Sequence, residues 1–175
     1  MRRRMVVLVL AVLSAGLLVT SLAGASGGGK KNVKANLTGF QEVPAVSSFG
    51  SGTFRATIDD DAQTITYELS YGGLNSTAMA AHIHLGQRGA NGGVAAFLCG
   101  GGDKPPCPAG TGGTETVSGV IDAADVIGPD AQGIAPGEFD ELVRAIRAGV
   151  TYANVHTMTQ PGGEIRGQIS GKKRK

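Results

Sequence analysis

The sequence predicts a mostly β protein, an antiparallel Greek-key β-sandwich with one short helix. Three observations carry this reading. Apolar and polar residues alternate in short runs, the period-two signature of half-buried strands. Turn-forming residues separate the runs, and glycine alone accounts for 29 of 175 residues without any repeating period. Only one segment has apolar residues at clear helical spacing, so the pattern of many strands and one minor helix points to a sandwich.

The chain opens with a leader rather than a strand. Arg2, Arg3 and Arg4 form a positive start, Met5 to Leu22 is almost continuously apolar, and Ala23-Gly24-Ala25 supplies the small-x-small pattern of a cleavage site. Residues 1–25 are therefore expected to be a signal peptide. The rival reading is an uncleaved anchor, since a membrane-spanning helix needs about 20 apolar residues. The cleavage pattern and the glycine run Gly27 to Gly29 favour removal, and no cysteine follows the apolar stretch to carry a lipid. Residues 26–32 read as a flexible linker, 33–170 as one domain, and 171–175 as a basic tail. A domain of this length can bury a substantial core.

Within the domain, Lys34 to Phe40 is the expected first strand. Gly52 to Ile58 and Thr64 to Leu69 alternate well around the turn Asp59-Asp60-Asp61-Ala62-Gln63, which makes this the clearest hairpin. Met79 to Leu85, Val94 to Cys99 and Thr114 to Ile121 follow as strands. A short helical turn is expected near Ala123 to Ile127. The one true helix spans Pro136 to Gly149: Phe139, Leu142, Val143 and Ile146 form its apolar stripe, acids open it, arginines close it, and Gly149 stops it. Thr151 to Thr157 and Glu164 to Ser170 close the domain, joined by Thr159-Gln160-Pro161-Gly162-Gly163.

Composition excludes some classes of function. Formal net charge is +2, and much of the positive charge lies in the leader and in Lys172 to Lys175. The near-neutral middle argues against a nucleic-acid binder, which needs a basic face. The tail reads as a solvated end, with contact to acidic envelope polymers as its functional alternative. Cys99 and Cys107 flank a Gly/Pro-rich loop in a chain expected to be exported, which predicts a disulfide. So short a ring contributes about 2–3 kcal/mol. The spacing is not that of a C-x-x-C redox pair.

The chemical lead is the set of three histidines, His82, His84 and His156. Residues two apart on a strand share a face, so His82 and His84 point one way while Ala81, Ile83 and Leu85 point into the core. By the same alternation Asn154 and His156 oppose Val155, and Glu164, Arg166 and Gln168 oppose Ile165 and Ile169. If these three strands are neighbours, one surface gathers His82, His84, His156, Glu164 and Arg166. His-x-His on a strand plus a distant third histidine can build a copper or zinc site with an open position. The competing reading is a polar hydrogen-bond network of the histidines with Asn154, Glu164 and Arg166, and an arginine there would repel a cation.

Other motifs carry less. Asp59, Asp60 and Asp61 read as solvated turn residues, with calcium binding as the alternative. The glycine-rich run Gly86 to Gly93 joins two strands, whereas a phosphate-cradling loop opens a helix. No G-x-S-x-G nucleophile elbow is present.

Several of these segments together resemble the chordin-type (CHRD) domain family. They are Leu37-Thr38-Gly39-Phe40-Gln41-Glu42-Val43-Pro44, then Ala81-His82-Ile83-His84-Leu85-Gly86 with Gly89 and Gly92. Gly149-Val150-Thr151-Tyr152-Ala153-Asn154-Val155-His156-Thr157 and Pro161-Gly162-Gly163-Glu164-Ile165-Arg166-Gly167-Gln168 complete the set. The resemblance runs from about Val33 to Ser170 and implies an extracellular β domain with no known enzyme activity. Growth-factor binding, known for chordin itself, is not carried over to a chain with a single copy. A looser resemblance links His-x-His and the late histidine to the copper half of the copper/zinc superoxide dismutases, although no bridging histidine or zinc loop is found. The expectation is therefore a secreted or otherwise extracytoplasmic, non-enzymatic binding or structural module, with copper or zinc as the candidate metals. Its expected partner is an extracellular protein or envelope polymer, with no nucleic acid, and no membrane after signal cleavage. The alternative is a copper- or zinc-dependent redox enzyme in which Arg166 steers an anion to the open position.

Overall fold

The computed structural model describes residues 29–171. The expected signal peptide and most of the basic tail lie outside the described residues. The strands are β1 (Lys31–Thr38), β2 (Ser51–Asp59), β3 (Thr64–Gly72), β4 (Ala78–Leu85), β5 (Gly93–Cys99), β6 (Glu115–Ile121), β7 (Thr151–Thr157), β8 (Ile165–Gln168) and β9 (Ser170–Gly171). Among the described residues the single α-helix, α1, is Phe139–Ala148. Short 3-10 turns occupy Gly39–Gln41, Ala123–Asp125 and Asp130–Gln132.

All pairings are antiparallel, in the order β5-β4-β7-β8-β1-β2-β3-β6, with β9 also on β1. The mostly β prediction therefore holds, with one refinement: the two layers of the sandwich are halves of one continuous sheet folded back on itself. The fold line falls between β8 and β1, which share a single residue pair, Thr38↔Arg166. Inward residues of both halves meet in one core that includes Leu37, Phe54, Ile65 and Leu69 from one side and Ala81, Ile83, Leu98 and Val155 from the other. Tyr67 on β3 donates its hydroxyl to the Leu98 carbonyl on β5 at 2.7 Å, tying the layers at the far edge.

The helix follows its sequence signals. Phe139, Leu142, Val143 and Ile146 are all buried, and Gly149 ends the helix at φ 73°, a left-handed cap that glycine adopts without steric cost. Cys99 and Cys107 form the predicted disulfide. The Asp59–Asp61 turn diverges rather than converges. Asp59 accepts from the Ala62 amide, and Asp60 pairs with Arg147 at 2.6 Å.

Several element boundaries differ from the sequence reading by one to three residues, two of them near the ends of the domain. The first strand starts at Lys31, inside the segment read as linker, and ends at Thr38, where Gly39 turns the chain into a 3-10 turn. A Cβ at Gly39 would lie 2.4 Å from the Val46 carbonyl, so this close turn requires glycine. The last predicted strand begins at Ile165 rather than Glu164 and is split at Ile169.

Candidate metal centre

The neighbours assumed in the sequence reading are neighbours in the fold. β7 lies between β4 and β8, with His82↔Asn154, His84↔Tyr152 and Ala80↔His156 paired across one ladder and Asn154↔Arg166 across the next. Alternation then puts His82, His84, Tyr152, Asn154, His156 and Arg166 on the face away from the core. That face is not open to solvent. The Gly86–Gly92 loop, the turn before β8 and the Glu42–Val46 stretch roof it. Asn91 bonds the Val43 carbonyl at 2.9 Å and receives Arg166 at 2.9 Å, and Asn154 donates to Glu42 at 2.8 Å. His82 and His84 keep only 9% and 7% exposure, and His156 is half-buried.

The three imidazoles converge. One nitrogen from each lies within 4.8 Å of the other two. The Nε2 atoms of His84 and His156 are 3.4 Å apart. The Nδ1 of His84 faces the Gly92 carbonyl at 3.0 Å, and that of His156 faces the Pro161 carbonyl at 3.0 Å. A carbonyl only accepts, so each Nδ1 carries the proton and each Nε2 presents a lone pair. Two lone pairs at 3.4 Å repel unless a proton or a cation sits between them. Two nitrogens bound tetrahedrally at about 2.0–2.1 Å from one ion stand about 3.3 Å apart. Orientation of a ligating histidine through a carbonyl on its other nitrogen is the usual support of a metal site. The third ring, His82, packs edge-on against Phe97 with centroids 4.6 Å apart, and its buried Nδ1 has no hydrogen-bond partner.

The electrostatics keep the three imidazoles neutral. Burial, reinforced by the neighbouring imidazoles, pushes His82 down to about 3. Burial, together with His156 and Arg166, holds His84 at about 4 despite the Gly92 hydrogen bond. Burial also lowers His156, against its bond to Pro161. Neutral imidazoles are the form that ligates.

The other predicted residues separate into distinct roles. Arg166 stays on this face, but its guanidinium lies 4.2 Å from the Tyr152 ring centroid and donates to Asn91 and the Ala90 carbonyl. The Tyr152 ring stacks on His84 at 4.8 Å, standing between the arginine from β8 and the histidines of β4. The cation's field reaches His84, yet its donors are turned to the roof. Asn154 is buried and joins Glu42 rather than a histidine. Glu164 does not join the cluster. The strand starts one residue later, and Gly163 at φ 125° redirects the backbone, so alternation does not extend to residue 164. Its fully buried carboxylate instead accepts from Ser48 at 2.6 Å, the Asn75 amide at 2.8 Å and Thr157 at 2.8 Å.

Sequence reasoning passed over Glu42 and Tyr152. Glu42 sits in the Gln41-Glu42-Val43-Pro44 segment, and burial, against the pull of Arg166 and Asn154, raises its carboxyl to about 7. An acid flanked by apolar and proline residues was the available signal. Tyr152 was legible from alternation alone, as the residue two before Asn154.

A one-sheet antiparallel domain that shelters converging imidazoles beneath loops defines a class: a small β domain with a built-in candidate metal centre. Comparison with known families then places it. The CHRD domain model matches residues 33–169, and the chain belongs to the CHRD domain family. No curated protein matches the chain. No solved structure matches it either.

Proposed function

We propose that this CHRD domain is an extracytoplasmic, non-enzymatic binding module that holds one copper or zinc ion on His82, His84 and His156. The observation that carries this reading is the 3.4 Å approach of two Nε2 atoms whose Nδ1 partners are both carbonyls. The unpartnered Nδ1 of His82 supports it, because a buried polar atom without a partner costs about 1–3 kcal/mol. Imidazole donors suit copper and zinc. The three ligands leave further coordination positions for water or a partner's side chain. Export is supported by the leader-like residues 1–25 and by the Cys99–Cys107 disulfide, a bond that persists in oxidising compartments. The chain has three histidines and all three stand in this cluster, so none remains to build a second, bridged centre of the dismutase type.

The test is metal content by mass spectrometry of the mature protein after copper or zinc loading and desalting, with His84→Ala as control. About one equivalent, lost in the control, is expected. No retained metal in the wild-type protein overturns the proposal.

A further inference from the structure

The outer face of the other layer carries a different feature. On β1, β2 and β3 the outward residues form rows across the sheet: Lys34↔Arg55 and Arg55↔Glu68 in one, Asn32↔Thr57 and Thr57↔Thr66 in the next. An open groove of about 1090 Å³ crosses these rows, lined by Lys30, Lys31, Lys34 and Arg55 with Asn32, Thr57 and Thr66 and with one acid, Glu68. Lys34 and Arg55 stand directly opposite each other on neighbouring strands, and both are exposed. Like charges so placed are unfavourable, and Glu68 offsets only part of that.

The charge is concentrated here. The chain has 16 basic residues, of which Arg2, Arg3 and Arg4 belong to the leader. Of the remaining thirteen, Lys30, Lys31, Lys34 and Arg55 line the groove. Lys172, Lys173, Arg174 and Lys175 follow Gly171, which pairs with Val33 at its edge. Of the other five, Lys104 is matched by Asp103 and Asp125, Arg144 by Glu141 and Arg147 by Asp60, while Arg88 and Arg166 donate to the neutral oxygens of Gln41, Asn91 and Ala90. In the groove Lys30 reaches Asp59 at 3.4 Å, while Lys31, Lys34 and Arg55 form no salt bridge among the described residues.

We infer that this groove binds an acidic polysaccharide. Unneutralised cations supply the attraction to its carboxylate or sulfate groups. The Thr57 hydroxyl donates to Asn32 Oδ1 at 2.9 Å, which leaves the Asn32 Nδ2 and the Thr66 hydroxyl to bond sugar hydroxyls along the same track. The exposed aromatic residues, Phe40 and Phe49, lie outside the groove lining, which therefore lacks the apolar anchors with which a protein inserts into a lipid surface. The groove shares no residue with the histidine centre, so this inference stands apart from the metal reading.

The test is binding of the mature chain, residues 26–175, to immobilised heparin. Neutral dextran and vesicles of phosphatidylcholine with phosphatidylglycerol serve as comparison surfaces. Heparin binding that weakens with salt, with none to dextran, is expected. Lys34→Glu with Arg55→Glu should weaken it at least tenfold. Lys34→Glu alone should weaken it while keeping or raising the melting temperature, because it replaces a like-charge pair with an opposite one. That combination separates lost binding from lost fold. A variant truncated after Gly171 should keep part of the binding. Unchanged heparin binding in the double variant, complete loss on truncation alone, or capture by the anionic vesicles without capture by heparin would each overturn the inference.

Discussion

The two outer faces of this sheet start from the same sequence pattern and end differently. On β4, β7 and β8 the outward residues are His82, His84, Tyr152, Asn154, His156 and Arg166, and loops cover them. On β1, β2 and β3 the outward residues are Asn32, Lys34, Thr53, Arg55, Thr57, Thr66 and Glu68, and no loop among the described residues roofs them. Alternation places a side chain on a face. Whether that face is dry is decided by the connections. The Gly86–Gly92 loop and the turn before β8 supply both the cover and the two carbonyls that orient His84 and His156. The covered face has little water to screen or solvate its groups, so its polar contacts weigh more in stability than those of the open face.

The contrast predicts a ranking of effects. The largest is at Glu164, where Glu164→Ala leaves the Asn75 amide, Ser48 and Thr157 without their acceptor. A loss of about 3 kcal/mol or more is expected in urea unfolding, with Glu164→Gln recovering part of it. A loss under about 1 kcal/mol would show that the covered side is not held by its polar bonds.

Gly163→Ala should come next. At φ 125° an added Cβ would lie 2.6 Å from Asn154 Oδ1 and 2.8 Å from Glu42 Oε1. Strain of about 1–3 kcal/mol is expected, read as a lower denaturation midpoint. Metal loading should fall with it, because the turn that carries the Pro161 carbonyl would shift. Unchanged loading would separate that turn from the site.

Acid titration should distinguish the faces more gently. His82 and His84 titrate near 3 and 4 in the folded protein, below the ordinary value of 6.5. Between about pH 6.5 and 4 the unfolded chain therefore binds protons that the native state does not, and apo stability should fall as pH falls through that window. Glu42 acts in the opposite sense. Its folded value of about 7 exceeds 4.5, so its contribution grows as pH falls from 7 toward 4.5. Glu42→Gln should make the acid loss steeper, measured as urea midpoints at pH 5 and pH 7. A variant with the wild-type slope would remove Glu42 from this balance. The smallest effect belongs to the open face, where Thr66→Ala should change stability by no more than about 0.5 kcal/mol.

Much of this was legible in the sequence, for reasons that also mark where legibility ends. The hairpin around Asp59–Asp61, the helix with its Gly149 cap and the Cys99–Cys107 bond are local, encoded by residues close in the chain. The meeting of His82 and His84 with His156 needed only the right strand neighbours. Glu164 was misplaced because alternation was extended one residue past the point where the backbone turns. The Gly92 and Pro161 carbonyls were beyond reach, since backbone atoms have no sequence signature until the loop path is known. Glu42 was seen only as part of a motif, because its burial arises from Asn154 and the neighbouring loops, far away in sequence.

The pairing Val33↔Gly171 brings the two ends of the domain side by side. A fold whose entry and exit share one ladder rung suits insertion into a surface loop of another protein, tandem stringing with short connectors, and circular permutation. In the first two arrangements the tethers would leave beside the start of β1, and β7 with its histidine lies beyond β8 in the sheet order, so grafting should leave the histidine centre undisturbed.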